Sequence, residues 1–454
     1  MGERLTRSAS EPRLRGDFLR CCLIAMSVGL ALPATAQTLR RSGFLGVVVA
    51  EVPESLHVSV ERSLDAGVLV QNVLDNGSAQ VAGVRSRDII ARIGEHNITG
   101  VADFLDRVRR LKAGDVVTLT LRRGSATVTV RFPLSARPYE AAPDVDTRYD
   151  TVVVDGSLRR TIVTSPKAPG PHPAVLYLNG VGCFSQESTD LSSHDAQLLY
   201  GLTRAGYVTM RLEKSGMGDS EGPDCRTPSA DFHAEVRGYV AALRALKRYP
   251  FVEASAIALI GISIGGVEAP VVAAQEPVRG IVVVNTVAKP FFEYLLETRR
   301  RQLALANVPE DEADRRLQLD ARCNAQLLFD RKPADAIVAV TPGCADHISF
   351  PAPDTFFQQW AEIDPAVAWN AVAVPTLIAY GASDFVATTS DHAHLAAIIN
   401  AAHPGNATLT AIAAMDHTLS TAGTMAESFQ RKEAGPFAPV ILDVMVKWLA
   451  VRLR

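Results

Sequence analysis

The chain has 454 residues, 47% of them hydrophobic, which is longer than one core usually serves and apolar enough to fill two. Its net charge is −3, and the first 36 residues carry five Arg against three acidic groups, which leaves −5 on the rest. Nothing in that charge points to a phosphate-backbone partner, so no nucleic acid is expected.

The N-terminus reads as a targeting segment. Arg13, Arg15 and Arg20 precede the apolar run Cys21 to Leu32, and Ala34-Thr35-Ala36 supplies a small-residue cleavage pattern. An uncleaved anchor is the rival reading, but the run falls short of the roughly 20 residues a bilayer requires. Residues 1–36 are therefore expected to be a signal peptide, and the mature chain to be periplasmic or secreted with no stable membrane span. Four cysteines then remain, Cys183, Cys225, Cys323 and Cys344, and in an oxidising compartment disulfides are the default. No two of them show close C-x-x-C spacing, so no metal site is expected.

Residues 37–134 read as a small β-rich domain. Short strands are predicted at Leu45 to Val49, Gly67 to Val73, Asp88 to Ile93, Val116 to Leu121 and Ala126 to Phe132, with helical spacing from Val101 to Leu111. The stretch Asn76-Gly77-Ser78-Ala79-Gln80-Val81-Ala82-Gly83-Val84, then Asp88-Ile89-Ile90, Ile93-Gly94 and Ile98, resembles PDZ domains of exported bacterial proteases. Arg87 stands where such domains commonly have Gly. The resemblance implies a groove in which a peptide adds as a strand while backbone N–H groups of Phe44, Leu45, Gly46 and Val47 hold its terminal carboxylate. The alternative is a module that packs against its neighbour and binds nothing.

Residues 135–148 lack sustained periodicity and read as a linker. The second domain, 149–454, opens with a hairpin around Asp155-Gly156. Apolar strands then alternate with helical segments, which argues for a mainly parallel sheet flanked by helices. The alternation breaks over about 286–370, where Phe291 to Ala306 and Glu310 to Gln326 look helical, as a cap insertion would. Arg299-Arg300-Arg301 reads as a solvated helix face.

Gly261-Ile262-Ser263-Ile264-Gly265 follows the apolar strand Ala256 to Ile260 and precedes a helical segment. This is the G-x-S-x-G pattern, which needs small flanking residues because its serine sits on a strained strand-to-helix turn. A serine hydroxyl attacks only when a histidine takes its proton and a carboxylate orients that histidine. In chain order, Asp384 follows the strand Thr376 to Ala379, and His417 lies in a loop after the next strand. Asp416 is the rival acid. Ile264 supplies one candidate oxyanion N–H, and Val181, in Asn179-Gly180-Val181-Gly182-Cys183, supplies the second. Lys214-Ser215-Gly216-Met217-Gly218-Asp219-Ser220-Glu221-Gly222 lacks the ending of a phosphate-cradling loop.

Together these motifs resemble the α/β-hydrolase superfamily, and the domain is similar to dienelactone-hydrolase and prolyl-oligopeptidase catalytic domains. The resemblance implies a cofactor-free serine hydrolase acting on an ester-like acyl bond. Peptide cleavage is the alternative, and a non-catalytic exported peptide-binding protein is another. In this fold the loops carrying Cys183 and Cys225 leave the catalytic edge of the sheet, so those two are expected to pair. Cys323 and Cys344 then pair within the cap.

Overall fold

The structure is a computed structural model that describes residues 39–53, 67–188 and 190–453. The expected signal peptide lies outside the described residues. Among the described residues, no helix is long and apolar enough to cross a membrane.

Alternation of apolar and polar side chains builds the first domain. Its elements are β1 (Gly43–Phe44), β2 (Val47–Glu51), β3 (Val68–Val73), α1 (Ser78–Val81), β4 (Ile89–Ile93), β5 (His96–Asn97), α2 (Val101–Val108), β6 (Val116–Arg123), β7 (Ala126–Pro133) and β8 (Ser135–Ala136). In β6, Val117, Leu119 and Leu121 are buried and their neighbours are not, the period-two signature of a strand with one covered face. The sheet runs β2-β3-β4-β6-β7 with antiparallel neighbours, so β2 is an edge strand. Arg87 has φ 71°, the left-handed conformation that explains why glycine is common there.

The segment read as a linker is structured. It contains β8, and Glu140 within it is buried against the second domain, where its carboxylate receives two hydrogen bonds from the buried Arg211 guanidinium at 2.9 and 2.8 Å. The hydrophobic pattern does not register such a segment, because charge pairing orders it together with only a small apolar contact, Ala142 and Val145 against Ala196 and Tyr200.

The second domain continues with β9 (Val145–Val154), β10 (Ser157–Pro166), β11 (His172–Leu178), α3 (His194–Arg204), β12 (Val208–Leu212), α4 (Phe232–Leu246), β13 (Val252–Ile262), α5 (Ile264–Gln275) and β14 (Gly280–Val284). Five helices follow, α6 (Phe291–Leu305), α7 (Glu310–Leu328), α8 (Ala334–Val340), α9 (Asp354–Ala361) and α10 (Pro365–Asn370). The chain ends with β15 (Thr376–Gly381), α11 (Thr389–Ala402), β16 (Ala407–Ile412), α12 (Met425–Gln430) and α13 (Val440–Arg452). Asp155 and Gly156, at φ 49° and 80°, form the two-residue turn between β9 and β10.

The sheet order is β16-β15-β14-β13-β11-β12-β10-β9, parallel from β16 through β12 and antiparallel over the last two strands. The parallel strands β12, β14 and β15 are buried throughout, as expected of a sheet covered on both faces. One face packs on α4, α5 and the inserted helices, the other on α3 and α13. This is the α/β-hydrolase architecture. Helices α6 to α10 form a cap over it, held by an aromatic cluster in which the Phe291 and Trp360 rings lie 3.9 Å apart.

Charges join the two domains. Arg41 and the Ser42 amide bind the Asp219 carboxylate, Lys112 Nζ donates to Gly218 O at 2.8 Å, and Arg109 pairs with Asp224 at 2.7 Å. All three contacts fall on the glycine-rich loop after β12 or just beyond it.

Candidate active site

Ser263 sits between β13 and α5 at φ 54° and ψ −121°, a region that costs a non-glycine residue about 1–3 kcal/mol. The flanking glycines allow it. A Cβ on Gly261 would lie 2.3 Å from the Gly265 carbonyl oxygen, and one on Gly265 would lie 2.1 Å from that of Leu178. The turn is held from below, where Ser263 N donates to Val284 O at 2.9 Å and Thr286 Oγ1 donates to Ser263 O at 2.8 Å.

The structure brings the three expected side chains into one file. His417 Nε2 lies 3.1 Å from Ser263 Oγ, and Nδ1 lies 2.8 Å from Asp384 Oδ2. Asp384 is fully buried, and its other oxygen accepts from Val386 N and Ala387 N at 2.6 and 3.0 Å. Burial works against charge on the His417 ring. The Asp384 carboxylate, by its field and its hydrogen bond, outweighs that, and the His417 pKa is raised above its ordinary value.

Asp416 points elsewhere. Its carboxylate accepts from Thr418 N, Ser420 N and Ser428 Oγ, so it shapes the loop that presents His417.

Two residues escaped the sequence reading. Asn285, at φ 50° and fully buried, donates to the carbonyls of Asp416 and His417 and accepts from Gly381 N, joining the loops that carry the acid and the base. An apolar strand ending in Asn was the available signal. His392, in the first turn of α11, is buried; its Nε2 accepts from Thr286 N at 3.1 Å, and its Nδ1 donates to Thr388 O at 2.6 Å.

Ile264 is the first residue of α5, where backbone N–H groups lack partners within the helix. Val181 lines a cavity of about 390 Å³ together with Asn179, Gly180, Ser263 and His417. A Cβ on Gly180 would come within 3.9 Å of the Ser263 Cβ, so this loop passes beside the serine. Asn179 is buried and braced, with Nδ2 donating to Gln186 and Asp195 and Oδ1 accepting from Gly180 N. Cys183 and Cys225 form a disulfide with Cα atoms 5.7 Å apart, and Cys323 and Cys344 form a second at 5.6 Å.

In the first domain, the carbonyls of Phe44, Leu45 and Gly46 accept from Ser78 Oγ, Ala79 N and Leu74 N at 2.8, 2.9 and 2.9 Å. A trans peptide points its N–H away from its carbonyl, so the N–H groups of Leu45, Gly46 and Val47 face the other way. Across β2 lies α2, with Val48 and Leu105 exposed.

A family profile described as serine aminopeptidase, S33, matches residues 188–421, and one described as PDZ domain matches residues 43–134. Esterase EstD of Thermotoga maritima is 24% identical over 232 residues, 50% of this chain and 50% of that protein. A probable periplasmic serine endoprotease DegP-like of Pseudomonas fulva is 32% identical over 115 residues, 25% of this chain and 24% of that protein. The chain thus spans about half the length of the first of these relatives and a quarter of the second. A solved structure of ferulic acid bound to Est1E from Butyrivibrio proteoclasticus matches with a TM-score of 0.44 at 14% identity, over 67% of this chain and 98% of that one.

Proposed function

The chain belongs to the serine aminopeptidase S33 family and carries a PDZ domain ahead of it, and from that premise we propose that it is an exported serine hydrolase of carboxylic esters. The observation that carries this reading is the file Ser263–His417–Asp384, with the serine on a strained turn.

With His417 neutral and its Nδ1–H donating to the Asp384 carboxylate, the Nε2 lone pair accepts the Ser263 proton as Oγ attacks the ester carbonyl. The carbonyl oxygen becomes an oxyanion, which the N–H groups of Ile264 and Val181 stabilise. His417 then protonates the leaving alkoxide, and the acyl–Ser263 ester remains. Water, deprotonated by His417, attacks that ester in turn. The acid leaves and Ser263 recovers its proton.

Esterase EstD, among the curated relatives, supports an ester substrate. The aminopeptidase description of the family and the attached PDZ domain favour a second reading, cleavage of a peptide whose end the PDZ groove holds. The inward-turned carbonyls of Phe44, Leu45 and Gly46 support peptide binding at that groove. Export is supported by the signal-like N-terminus, the two disulfides and the periplasmic relative of the PDZ part.

The test is a panel of ester, thioester and peptide substrates on the mature chain, with Ser263→Ala as control and labelling by a fluorophosphonate. Ester turnover and labelling that both vanish in Ser263→Ala support the reading. Peptide turnover alone moves it to the second, and no turnover with no labelling leaves a binding protein.

A further inference from the structure

Beneath the loop beside Ser263 lies a buried cation that the triad does not use. Lys214 is buried; its Nζ donates to Gly180 O at 2.8 Å and to Glu235 Oε1 at 2.7 Å. Tyr239 Oη joins the same cluster, donating to Glu235 at 3.3 Å and accepting from Asn179 N at 3.3 Å. Glu268, fully buried on α5, has neither carboxylate oxygen hydrogen-bonded among the described residues. Burial pushes its carboxyl well above the usual range, and the neighbouring Glu235 adds to that.

The acceptor is what gives Lys214 a function. Gly180 C=O and Val181 N–H belong to one peptide unit, and a trans peptide directs them oppositely. Glycine at 180 tolerates either orientation of that plane, so its own conformational preference does not choose one. A charge-assisted hydrogen bond on the carbonyl does choose, because such bonds are roughly twice as strong as neutral ones.

We propose that Lys214, held by Glu235, is a positioning residue: by pinning the Gly180 carbonyl it keeps the Val181 N–H turned toward the oxyanion that forms at Ser263. The inference rests on the hydrolase reading above and assigns a control element to its oxyanion site. Lys214 touches no reacting atom. It acts only through the peptide plane, so its effect falls on the transition state, where the oxygen is charged, and little on the ground-state carbonyl.

The experiment compares the mature wild-type chain with Lys214→Met, which keeps the stem and removes the donor, and with Glu235→Gln, which leaves an amide oxygen for Lys214. An aryl ester and its thionoester are the probes, because thiocarbonyl sulfur accepts hydrogen bonds poorly and gains little from an oxyanion site. Loss of one oxyanion donor costs about 10²–10³ in kcat, and Lys214→Met is expected to lower kcat on the oxoester by about 10–100-fold because the amide is misdirected and not deleted. KM should change by less than about 3-fold, the thionoester rate should fall far less, and the oxo-to-thiono ratio should shrink accordingly. Glu235→Gln should lie between the two on every readout.

Equal losses on both esters, or a loss carried by KM, would mean a structural role and overturn the proposal; wild-type kcat in Lys214→Met would do the same. If Lys214→Met does not fold, Glu235→Gln carries the test, and an unchanged oxo-to-thiono ratio there overturns it. Full activity in Ser263→Ala would instead bring down the hydrolase reading, and that outcome is separable from all of these.

Discussion

Arg41 grips Asp219 across 178 residues of chain, with its Nη1 3.0 and 2.9 Å from the two carboxylate oxygens. Both side chains are buried, and Arg41 also reaches Glu187. Breaking a buried pair by removing one partner typically costs about 3–5 kcal/mol, because the other charge is left in low dielectric. Arg41→Met should therefore lower the urea midpoint sharply, while the double change with Asp219→Asn should recover part of the loss. A chain beginning at residue 142 lacks both Arg41 and Glu140 and should unfold under conditions where the mature chain is stable. Equal midpoints for the truncated and mature chains would contradict this.

That dependence between domains was not legible in the sequence. Apolar periodicity outlined both domains, because strands and helices bury a stripe that repeats every two or every 3.6 residues. The Gly-x-Ser-x-Gly turn was legible because steric crowding leaves few residues able to fill it, and the Cys183–Cys225 expectation followed from where the loops leave the sheet. Arg41, Glu140 and Lys214 left no such mark, and Asn285 left only its place at the end of an apolar strand. Their partners are 178, 71, 34 and 131 residues away, and a charged or amide side chain looks the same on a surface as in a buried pair.

The pH dependence of turnover follows from His417. As the general base of the proposed mechanism it must be neutral, and Asp384 holds its pKa above the ordinary 6.5, more than offsetting burial. The acid limb of kcat/KM is thus expected above pH 6.5, with activity lost as pH falls through it. The same raised pKa contributes stability that is complete below pH 6.5 and is lost as pH rises through the folded value. Asp384→Asn should lower kcat by about 10³–10⁴-fold and move the acid limb to lower pH. A pH–rate profile of both proteins checks this, and an unmoved limb would count against Asp384 as the orienting acid.

Asp416 provides the contrast, since its carboxylate serves Thr418, Ser420 and Ser428 and not the His417 ring. Asp416→Asn keeps an acceptor oxygen for those donors and should reduce kcat by less than about 10-fold, the scale of one weakened neutral hydrogen bond at about 1 kcal/mol. Steady-state kinetics of the two Asn variants side by side decides the ranking. The reverse order would make Asp416 the acid.

His392 makes the floor of the serine turn sensitive to acid. It is buried, stacked on Tyr380 at 4.7 Å, and uses its Nε2 lone pair to accept from Thr286 N, whose own hydroxyl holds Ser263 O. Burial is the main cause that lowers its pKa, so below pH 6.5 the unfolded chain takes up the proton before the folded one does. Stability from this residue is therefore present above pH 6.5 and is lost as pH falls toward the depressed folded value. His392→Gln should be less stable at pH 7.5 yet lose less between pH 7.5 and 5.5 than the wild type. Parallel urea midpoints across that range would show that His392 does not titrate on unfolding.

The two disulfides separate stability from catalysis. Cys183–Cys225 spans 42 residues and Cys323–Cys344 spans 21, which on the chain-entropy model stabilise by about 4 and 3 kcal/mol. Removing either pair as a double Ser variant should therefore cost similar stability. Their effects on turnover should differ. Cys183 lies two residues beyond Val181, in the loop that lines the Ser263 cavity, and its bond ties that loop to the end of the glycine-rich loop that the first domain grips. The segments joined by the cap pair, unlike the loop before Cys183, contribute no residue to that cavity. Cys183→Ser with Cys225→Ser should lower kcat more than it raises KM, because the lost rigidity falls on the amide that meets the oxyanion and not on ground-state binding. Cys323→Ser with Cys344→Ser should leave kcat within about 2-fold at a temperature where both variants are folded, since stability losses do not alter a folded active site. Peptide mapping of the non-reduced chain first verifies the pairing, and kinetics then compares the variants. Equal kcat losses in both would mean that the Cys183–Cys225 bond acts on turnover through global stability, and no loss in either would mean that Val181 is held well enough without it.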